Sequence, residues 1–410
     1  MNDKNYYELI TDPSCLLPSL VTTEIDYQEI TIDCDFNEVN FFDLIGTAFS
    51  KVVGGGLLIL KNINITSTEK SYILDVVPQL GLQLINAADY SLYFKKNIDA
   101  KHLDCRVSSS INRTGQCLAL FRDVFGHDMS RDFWNWKYSK SNNYCIALLN
   151  KNTVKGYYGC SARTLLVYGS EVEAFQPCDV MIKKDSRGGI TNGAFSFLVS
   201  LYLAQFRKQK TYLFGFPHKR QFILAKRLGS YSEVDEIINV IVRPFKNLDL
   251  PIIEFYEYSS EFHDDSWGSM KFSTKEFITL KKDAAYISER YLNHPCHEYI
   301  CVCALIEGKN VTLIFNRVAE DAFHLMDCIG DISNYHLMIL AAVSYLENTF
   351  PGSTLLFWML QTNYRSLLKD IVFEIKTDGA RLVSSPWETT DYYRGDNCRW
   401  ILSMGDSEFL

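Results

Sequence analysis

No stretch of this chain approaches the about 18–20 consecutive apolar residues that a membrane-crossing helix needs. The nearest run, LMILAAVSYL at 337–346, is half that length and reads as a buried helix. The opening MNDKNYYELITDPSC lacks the charged-then-apolar pattern of an export signal, so a cytoplasmic location is expected. Twelve cysteines include no Cys-x-x-Cys pair, and eight histidines include no His-x-x-x-His spacing, so neither a structural zinc site nor another metal is expected. The cysteines are scattered, and Cys145, Cys301, Cys303 and Cys328 sit inside apolar runs. They read as small buried hydrophobes rather than disulfide partners. Positive charge is in deficit: Lys and Arg number 41 against 49 Asp and Glu, a net charge of −8. That balance argues against nucleic-acid binding, which needs a basic surface, but leaves room for a local basic pocket holding a phosphorylated small molecule.

What is present is apolar and aromatic. Hydrophobic residues make up 47%, charged residues 22% and aromatic residues 14% of 410 positions, the composition of a folded protein. At roughly 100–200 residues per domain, more than one core is expected. Three segments stand out. In 1–108, GGLLILKN (55–62) reads as a buried strand, the stretch from Ser67 as a helix bent or ended by Pro78, and LQLINAADYSLYFKKN (82–97) as a strand pair. Segment 109–247 contains EAFQPCDVMIKK, a strand ending in charge, then a glycine-containing turn and a long helix. The strand TYLFGFP and the helix HKRQFILAKR follow. Segment 248–410 echoes the second. Trp136-Lys137-Tyr138 stands opposite Glu289-Arg290-Tyr291, and Tyr144 opposite Tyr299, at an offset of 153 to 155 residues. So long a period implies two copies of one domain rather than a solenoid.

The chemistry concentrates at Lys184-Asp185-Ser186-Arg187-Gly188-Gly189-Ile190-Thr191-Asn192-Gly193. A loop between a strand and a helix N-terminus can surround a pyrophosphate with backbone N–H groups, and the helix dipole adds positive potential. Glycines there let the phosphate reach the backbone. A glycine-rich turn without a ligand is the plainer reading of the same residues.

Strand, Arg-x-x-Gly-x-Gly/Ala-type loop, helix, strand and short helix, in that order, resemble the core of the GNAT acyltransferase superfamily. Arg187, Gly188 and Gly189 match the opening of its loop and Asn192, Gly193 and Ala194 its close, with Ile190-Thr191 as an extension. Together with FWNWKY upstream, FGFP downstream and WILSMGDSEF at 400–409, the chain is similar to sugar-nucleotide and surface-polysaccharide N-acyltransferases over roughly 109–410. The resemblance implies an α/β (α+β) fold with two tandem GNAT-like mixed sheets and flanking helices. Residues 109–247 would bind acyl-coenzyme A, and 248–410 would form a second copy serving as acceptor platform or scaffold. Segment 1–108 forms a small α/β module whose strand–helix–hairpin order resembles half of a class I methyltransferase, without a Gly-x-Gly cofactor loop.

The resemblance also implies roles. Coenzyme A would lie on Arg187, Gly188, Gly189, Asn192 and Gly193, with backbone N–H groups near Ile182 and Lys183 polarising the thioester. Asp179, eight residues before Arg187, would face the acceptor amine as general base. His218, after FGFP, is a second candidate base or a helix N-cap. The tyrosine that commonly protonates the leaving thiolate in this superfamily is replaced by Ala225. Trp134, Trp136 and Tyr138 could stack on a nucleobase or sugar, or simply form core. Asp406, with Asp396 and Glu408, could hold the ammonium of an amino sugar. The expected reaction is N-acylation of a nucleotide-linked amino sugar, a small-molecule acceptor. The alternatives are an aminoacyl transferase of the peptidoglycan-bridge type and a non-catalytic binding protein on the same scaffold.

Overall fold

The structure is a computed structural model that describes residues 6–10, 27–33, 52–61, 82–88, 91–96, 106–109, 113–138, 145–150, 153–187, 194–207, 211–227, 230–243, 252–368, 371, 373–385 and 399–407. The chain divides into two compact units, residues 1–160 with 179–210, and 161–178 with 211–410. These units cut across the three segments expected from the sequence.

In the first unit, β1 (Tyr6–Ile10), β2 (Tyr27–Asp33), β3 (Val52–Lys61), β4 (Leu82–Ala88) and β5 (Ser91–Lys96) form a five-stranded sheet in the order β1-β2-β3-β5-β4. The first three strands are parallel, and β5 is antiparallel to both its neighbours. Ile30, Val52, Leu58, Ile59, Leu60 and Phe94 are among its buried residues, as an apolar run with branched side chains should place them. The expected strand at 55–62 is thus β3, and the expected pair at 82–97 is the β4–β5 hairpin. The helix expected from Ser67 lies outside the described residues, and the likeness to a methyltransferase half rests on the sequence alone.

Next come β6 (Arg106–Ser109), α1 (Thr114–Phe125) and α2 (Arg131–Tyr138). Gly126 ends α1 in the left-handed region at φ 80°, a conformation glycine adopts without a β-carbon penalty. Strands β7 (Ile146–Asn150) and β8 (Thr153–Val167) pair antiparallel, and β9 (Ser170–Ile182) follows a two-residue turn. Both turn residues, Tyr168 and Gly169, have positive φ, the geometry that matches strand twist. Helix α3 (Ala194–Arg207), β10 (Tyr212–Gly215), α4 (Lys219–Arg227) and β11 (Ser232–Val242) complete the first half.

The second half repeats this order. After β12 (Ile253–Glu257), α5 (Ser260–Ser273) and β13 (Ile278–Leu280) come α6 (Ala284–Ile287) with its π-turn Ser288–Leu292, β14 (Tyr299–Ile306), β15 (Lys309–Ala319) and β16 (Ala322–Ile329). Then follow α7 (Tyr335–Thr349), β17 (Thr354–Leu360), α8 (Tyr364–Leu368), β18 (Glu374–Lys376) and β19 (Arg381–Ser384). Helix, three strands, helix, strand, helix therefore occurs twice, first from α2 to α4 and again from α6 to α8. In each copy the third and fourth strands are parallel: β9 pairs with β10, and β16 with β17. The other pairings of the second unit, β12-β14-β15-β16 and β17-β11-β19-β10, are antiparallel. The result is a large mixed sheet with flanking helices.

The apolar run 337–346 lies within α7, where Met338, Ile339, Ala341, Ala342, Val343 and Leu346 are all buried. A helix apolar on every side belongs inside a core. The tail from Arg399 to Ser407 is part of the second unit's core too. Ile278 N–H donates to the Arg399 carbonyl at 2.8 Å, and Ile401 N–H returns to the Ile278 carbonyl at 2.8 Å. Trp400, Ile401, Leu402 and Met404 are buried there.

Candidate active site

Strand β9 feeds the glycine loop, and its last residues carry the candidate chemistry. The parallel ladder between β9 and β10 covers only two pairs, Ala174 with Tyr212 and Phe175 with Leu213. Beyond it, Asp179 adopts φ 46° inside the strand, a left-handed conformation that breaks the alternation of faces. Its side chain is buried. Its Oδ2 accepts from Tyr138 Oη at 2.5 Å and lies 2.8 Å from Lys137 Nζ. Consecutive residues of the last turn of α2 thus hold one carboxylate oxygen. Tyr138 was expected to touch substrate and Asp179 to act as base; the structure brings the two together, with Lys137 as a third member that sequence reasoning missed.

The other aromatic expectations need correction. Trp134 is buried core: its ring lies 4.6 Å from Tyr138 and 5.1 Å from Tyr157. Trp136 is half-buried and stacks on Phe133 at 5.5 Å, one helical turn away.

The strand end that leads into the loop carries ion pairs. Lys155 Nζ meets Asp185 at 3.2 Å, and Lys183 Nζ meets Asp123 at 3.8 Å. Hydrogen bonds from Ser186 and Lys155 hold the Asp185 carboxyl below its ordinary range. Arg187 is exposed, and its Nε donates to the Ile182 carbonyl at 3.2 Å. The Lys183 N–H donates to the Lys155 carbonyl at 2.8 Å, so it is committed within the chain and does not polarise a thioester as expected. Behind the loop, a β-carbon added at Gly156 would lie 3.0 Å from both Ile182 and Leu198, so β8 and α3 pack tightly there. Gly188, Gly189, Asn192 and Gly193 lie outside the described residues. His218 occupies the N-cap of α4: its carbonyl accepts from Phe222 N–H at 2.9 Å, and the residue is exposed. Ala225 is buried.

The second copy carries the matching pair. Tyr291, the counterpart of Tyr138, donates to Asp327 Oδ2, and Tyr286 reaches the same oxygen at 3.0 Å. Asp327 lies on β16, three residues past the end of the β16–β17 ladder, much as Asp179 lies four past the end of its own. Here, however, the pair is sealed. Lys282 Nζ binds Asp327 Oδ1 and lies 2.7 Å from Asp406 Oδ1, and Arg290 donates to the carbonyls of Gly405 at 3.2 Å and Ser407 at 2.5 Å. Gln176 Nε2 donates to the Asp406 carbonyl at 2.9 Å, and Ser403 N–H to the Asp406 carboxylate at 2.8 Å. Burial opposes charge on Lys282, but Asp327 and Asp406 more than offset it and hold the ammonium above its ordinary range. Burial also pushes Asp406 up, against the pull of Lys282. Asp406 therefore holds the chain's own ammonium rather than a sugar's; Asp396 and Glu408 lie outside the described residues.

No protein-family model and no curated protein matches this sequence. Solved structures do match its shape. A conserved protein of Enterococcus faecalis described as a probable N-acyltransferase superposes with a TM-score of 0.53 at 12% identity, over 68% of this chain and 71% of that one. GCN5-related N-acetyltransferases from Kribbella flavida and Anabaena variabilis each superpose with a TM-score of 0.51 at 10% identity. Each covers 68% of this chain, and 70% and 72% of its own. The fold is that of the GCN5-related N-acetyltransferases. In this frame, β9 and α3 are the strand and helix expected from the sequence on either side of residues 188–193, which lie outside the described residues. Lys137, Arg290, Lys282 and Asp327 are what the motif search passed over. The sequence signal for the first two was already in the echo, which sets Lys137-Tyr138 against Arg290-Tyr291. No metal-binding cluster of His, Cys, Asp or Glu occurs among the described residues.

Proposed function

We propose that this chain is an acyl-coenzyme A-dependent N-acyltransferase whose acceptor is an amino group on a nucleotide-linked sugar. The observation that carries the reading is the run of β9 through the left-handed Asp179 to Arg187 and the N-terminus of α3, beside a parallel strand whose ladder stops after two pairs. Lys184 and Arg187 supply positive charge where a pyrophosphate would approach, and Lys155 and Lys183, paired with Asp185 and Asp123, stand beside them, a set that suits coenzyme A. The bound thioester supplies the activated acyl group. The chain binds its phosphates at 187–193 and orients the amine near Asp179, with His218 as the second candidate. Residues 109–247 carry the cofactor, 248–410 act as acceptor platform or scaffold, and 1–108 shape an interface. The sugar-nucleotide acceptor is supported by the sequence resemblance alone.

Calorimetric titration with acetyl-coenzyme A tests the cofactor site. Binding to the wild type that is lost in Gly193→Val, with an unchanged melting temperature, supports it; equal affinity in the two proteins refutes it. One observation favours a binding protein on this scaffold instead: Asp179 is already paired, and Ala225 stands where the thiolate acid is common. Acetyl transfer to UDP-glucosamine, followed by thiol release, separates the two.

A further inference from the structure

Asp179 has a counterpart in a copy that has no cofactor loop to serve. In both copies a tyrosine in the last turn of the second helix donates to one oxygen of an aspartate on the third strand. Tyr138 reaches Asp179 Oδ2 at 2.5 Å, and Tyr291 reaches Asp327 Oδ2. In both a lysine ammonium meets the same carboxylate. Lys137 Nζ lies 2.8 Å from Asp179 Oδ2, and Lys282 Nζ binds Asp327 Oδ1. All six side chains are buried. The two lysines come from different elements, Lys137 from α2 and Lys282 from the turn that follows β13. What the copies hold in common by position is therefore the tie between tyrosine and aspartate. The cation, which a buried carboxylate needs, is supplied from wherever the fold offers one.

The second copy shows what the tie does when no cofactor is near. Its strand-to-helix turn, Gly330–Asn334, has no Arg-x-x-Gly run, and the Asp331 carboxylate fills it through Ser333 and Lys309. The Asp327 side chain is 0% exposed, so it meets no substrate. A tie kept there fastens the end of a helix to a strand and does nothing to an amine. The backbone of the first copy agrees. Asp179 holds φ 46°, while Asp327 is not among the residues with positive φ. A left-handed residue inside a strand persists only where its surroundings over-determine it, and Tyr138 and Lys137 converge on its carboxylate.

The copies differ in one respect that bears on the reaction. The Asp179 side chain keeps 8% of its surface, so the first tie borders open space where the second is closed over. Resting on the acyl-transfer reading, we propose that Tyr138 and Asp179 are positioning residues. Their tie sets the end of α2 against the strand that leads into the cofactor loop and so shapes the place where the acceptor enters. Asp179 is the anchor of that tie and does not take the proton of the amine.

Kinetics with acetyl-coenzyme A as donor and UDP-glucosamine as probe amine test this. Tyr138→Phe cuts the tie by one oxygen atom and leaves Asp179 in place. It should raise KM for UDP-glucosamine several-fold, with a smaller effect on kcat and none on the calorimetric affinity for acetyl-coenzyme A. Lys137→Met combined with Asp179→Asn removes the carboxylate together with its cation. Asparagine still offers Tyr138 an oxygen and tolerates the left-handed region. Its kcat should fall by less than about tenfold, against about 10²–10⁴-fold for the loss of a general base. Tyr291→Phe, the mirror variant, should lower the melting temperature and leave KM for UDP-glucosamine as it is. A fall in kcat of about 10²-fold or more in the double variant, at a wild-type melting temperature, overturns the proposal, because Asp179 is then the base. An unchanged KM in Tyr138→Phe overturns it as well, and both results leave acyl transfer intact. Should the double variant not fold, Tyr138→Phe decides alone. A wild type that binds acetyl-coenzyme A but acylates no amine overturns both readings.

Discussion

Gly405 packs so closely under Tyr291 that no side chain fits at position 405. A β-carbon there would collide with Tyr291 Oη and lie 2.6 Å from Asp327 Oδ2 and 3.0 Å from the Met326 carbonyl. These neighbours are buried and hydrogen-bonded, so none can give way cheaply. Gly405→Ala should therefore destabilise the fold by roughly 1–3 kcal/mol or more, read as a fall in denaturant midpoint. Gly268 is the control: it lies inside α5 with nothing within 4 Å of an added β-carbon, so Gly268→Ala should stabilise by about 0.5–1 kcal/mol. Equal effects at the two glycines would contradict the packing.

Lys282 holds two buried carboxylates, Asp327 and Asp406. Lys282→Met leaves both without their cation in a dry site, and breaking a buried pair costs roughly 3–5 kcal/mol. Adding Asp327→Asn should recover part of that loss, because one orphaned charge disappears. A double variant no more stable than Lys282→Met in urea melts would mean that the cluster is not held by charge.

The repeat shows where sequence reading reaches and where it stops. Tyr138 and Tyr291 stand opposite each other by spacing alone, and strand–loop–helix order is visible around Arg187. Their aspartates lie 41 and 36 residues downstream, beyond the reach of local periodicity. Nor does alternation place Asp179, because its positive φ breaks the period of two on which strand reading rests. Asp406 reads as a polar tail residue, since nothing local reveals that Lys282, 124 positions earlier, meets it in the core. Trp134 and Trp136 read alike in the sequence, and only packing separates the buried Trp134 from the half-buried Trp136 stacked on Phe133.

His294 gives a pH dependence. Its Nδ1 accepts from the N–H groups of Cys296 at 3.2 Å and His297 at 3.0 Å. Burial, with the Arg290 guanidinium and His297, pushes it down to about 4. The unfolded chain takes up this proton near pH 6.5, whereas the folded chain resists it until about pH 4. Stability from this group is therefore present above pH 6.5 and is lost as pH falls toward 4. His294→Asn, whose amide oxygen can still accept a backbone N–H, should flatten that part of the curve. Melting temperatures between pH 7 and pH 4.5 check it; parallel curves for the two proteins would refute the assignment.

The last prediction concerns how many cofactors one chain holds. The second copy has its own strand-to-helix loop, Gly330–Asn334, between β16 and α7, but it is filled from within. The Asp331 carboxylate accepts from Ser333 N–H at 3.0 Å, Ser333 Oγ at 2.7 Å and Asn334 Nδ2 at 2.9 Å, and pairs with Lys309 Nζ at 2.9 Å. Burial opposes its charge, yet the bonds from Lys309 and Ser333 hold the carboxyl below its ordinary range. An internal anion thus meets the donors that lead into α7. Met338 Sδ would lie 2.7 Å from a β-carbon at Gly330, which leaves no space for a pyrophosphate against the backbone. Acetyl-coenzyme A should bind with a stoichiometry of one per chain, and Gly193→Val should abolish that binding with no weaker site surviving. Asp331→Ala should cost about 1 kcal/mol as a lost cap without adding a second site, because Met338 still fills the approach. Calorimetric titration of the three proteins decides: two sites in the wild type, or binding that persists in Gly193→Val, would place a cofactor on the second copy.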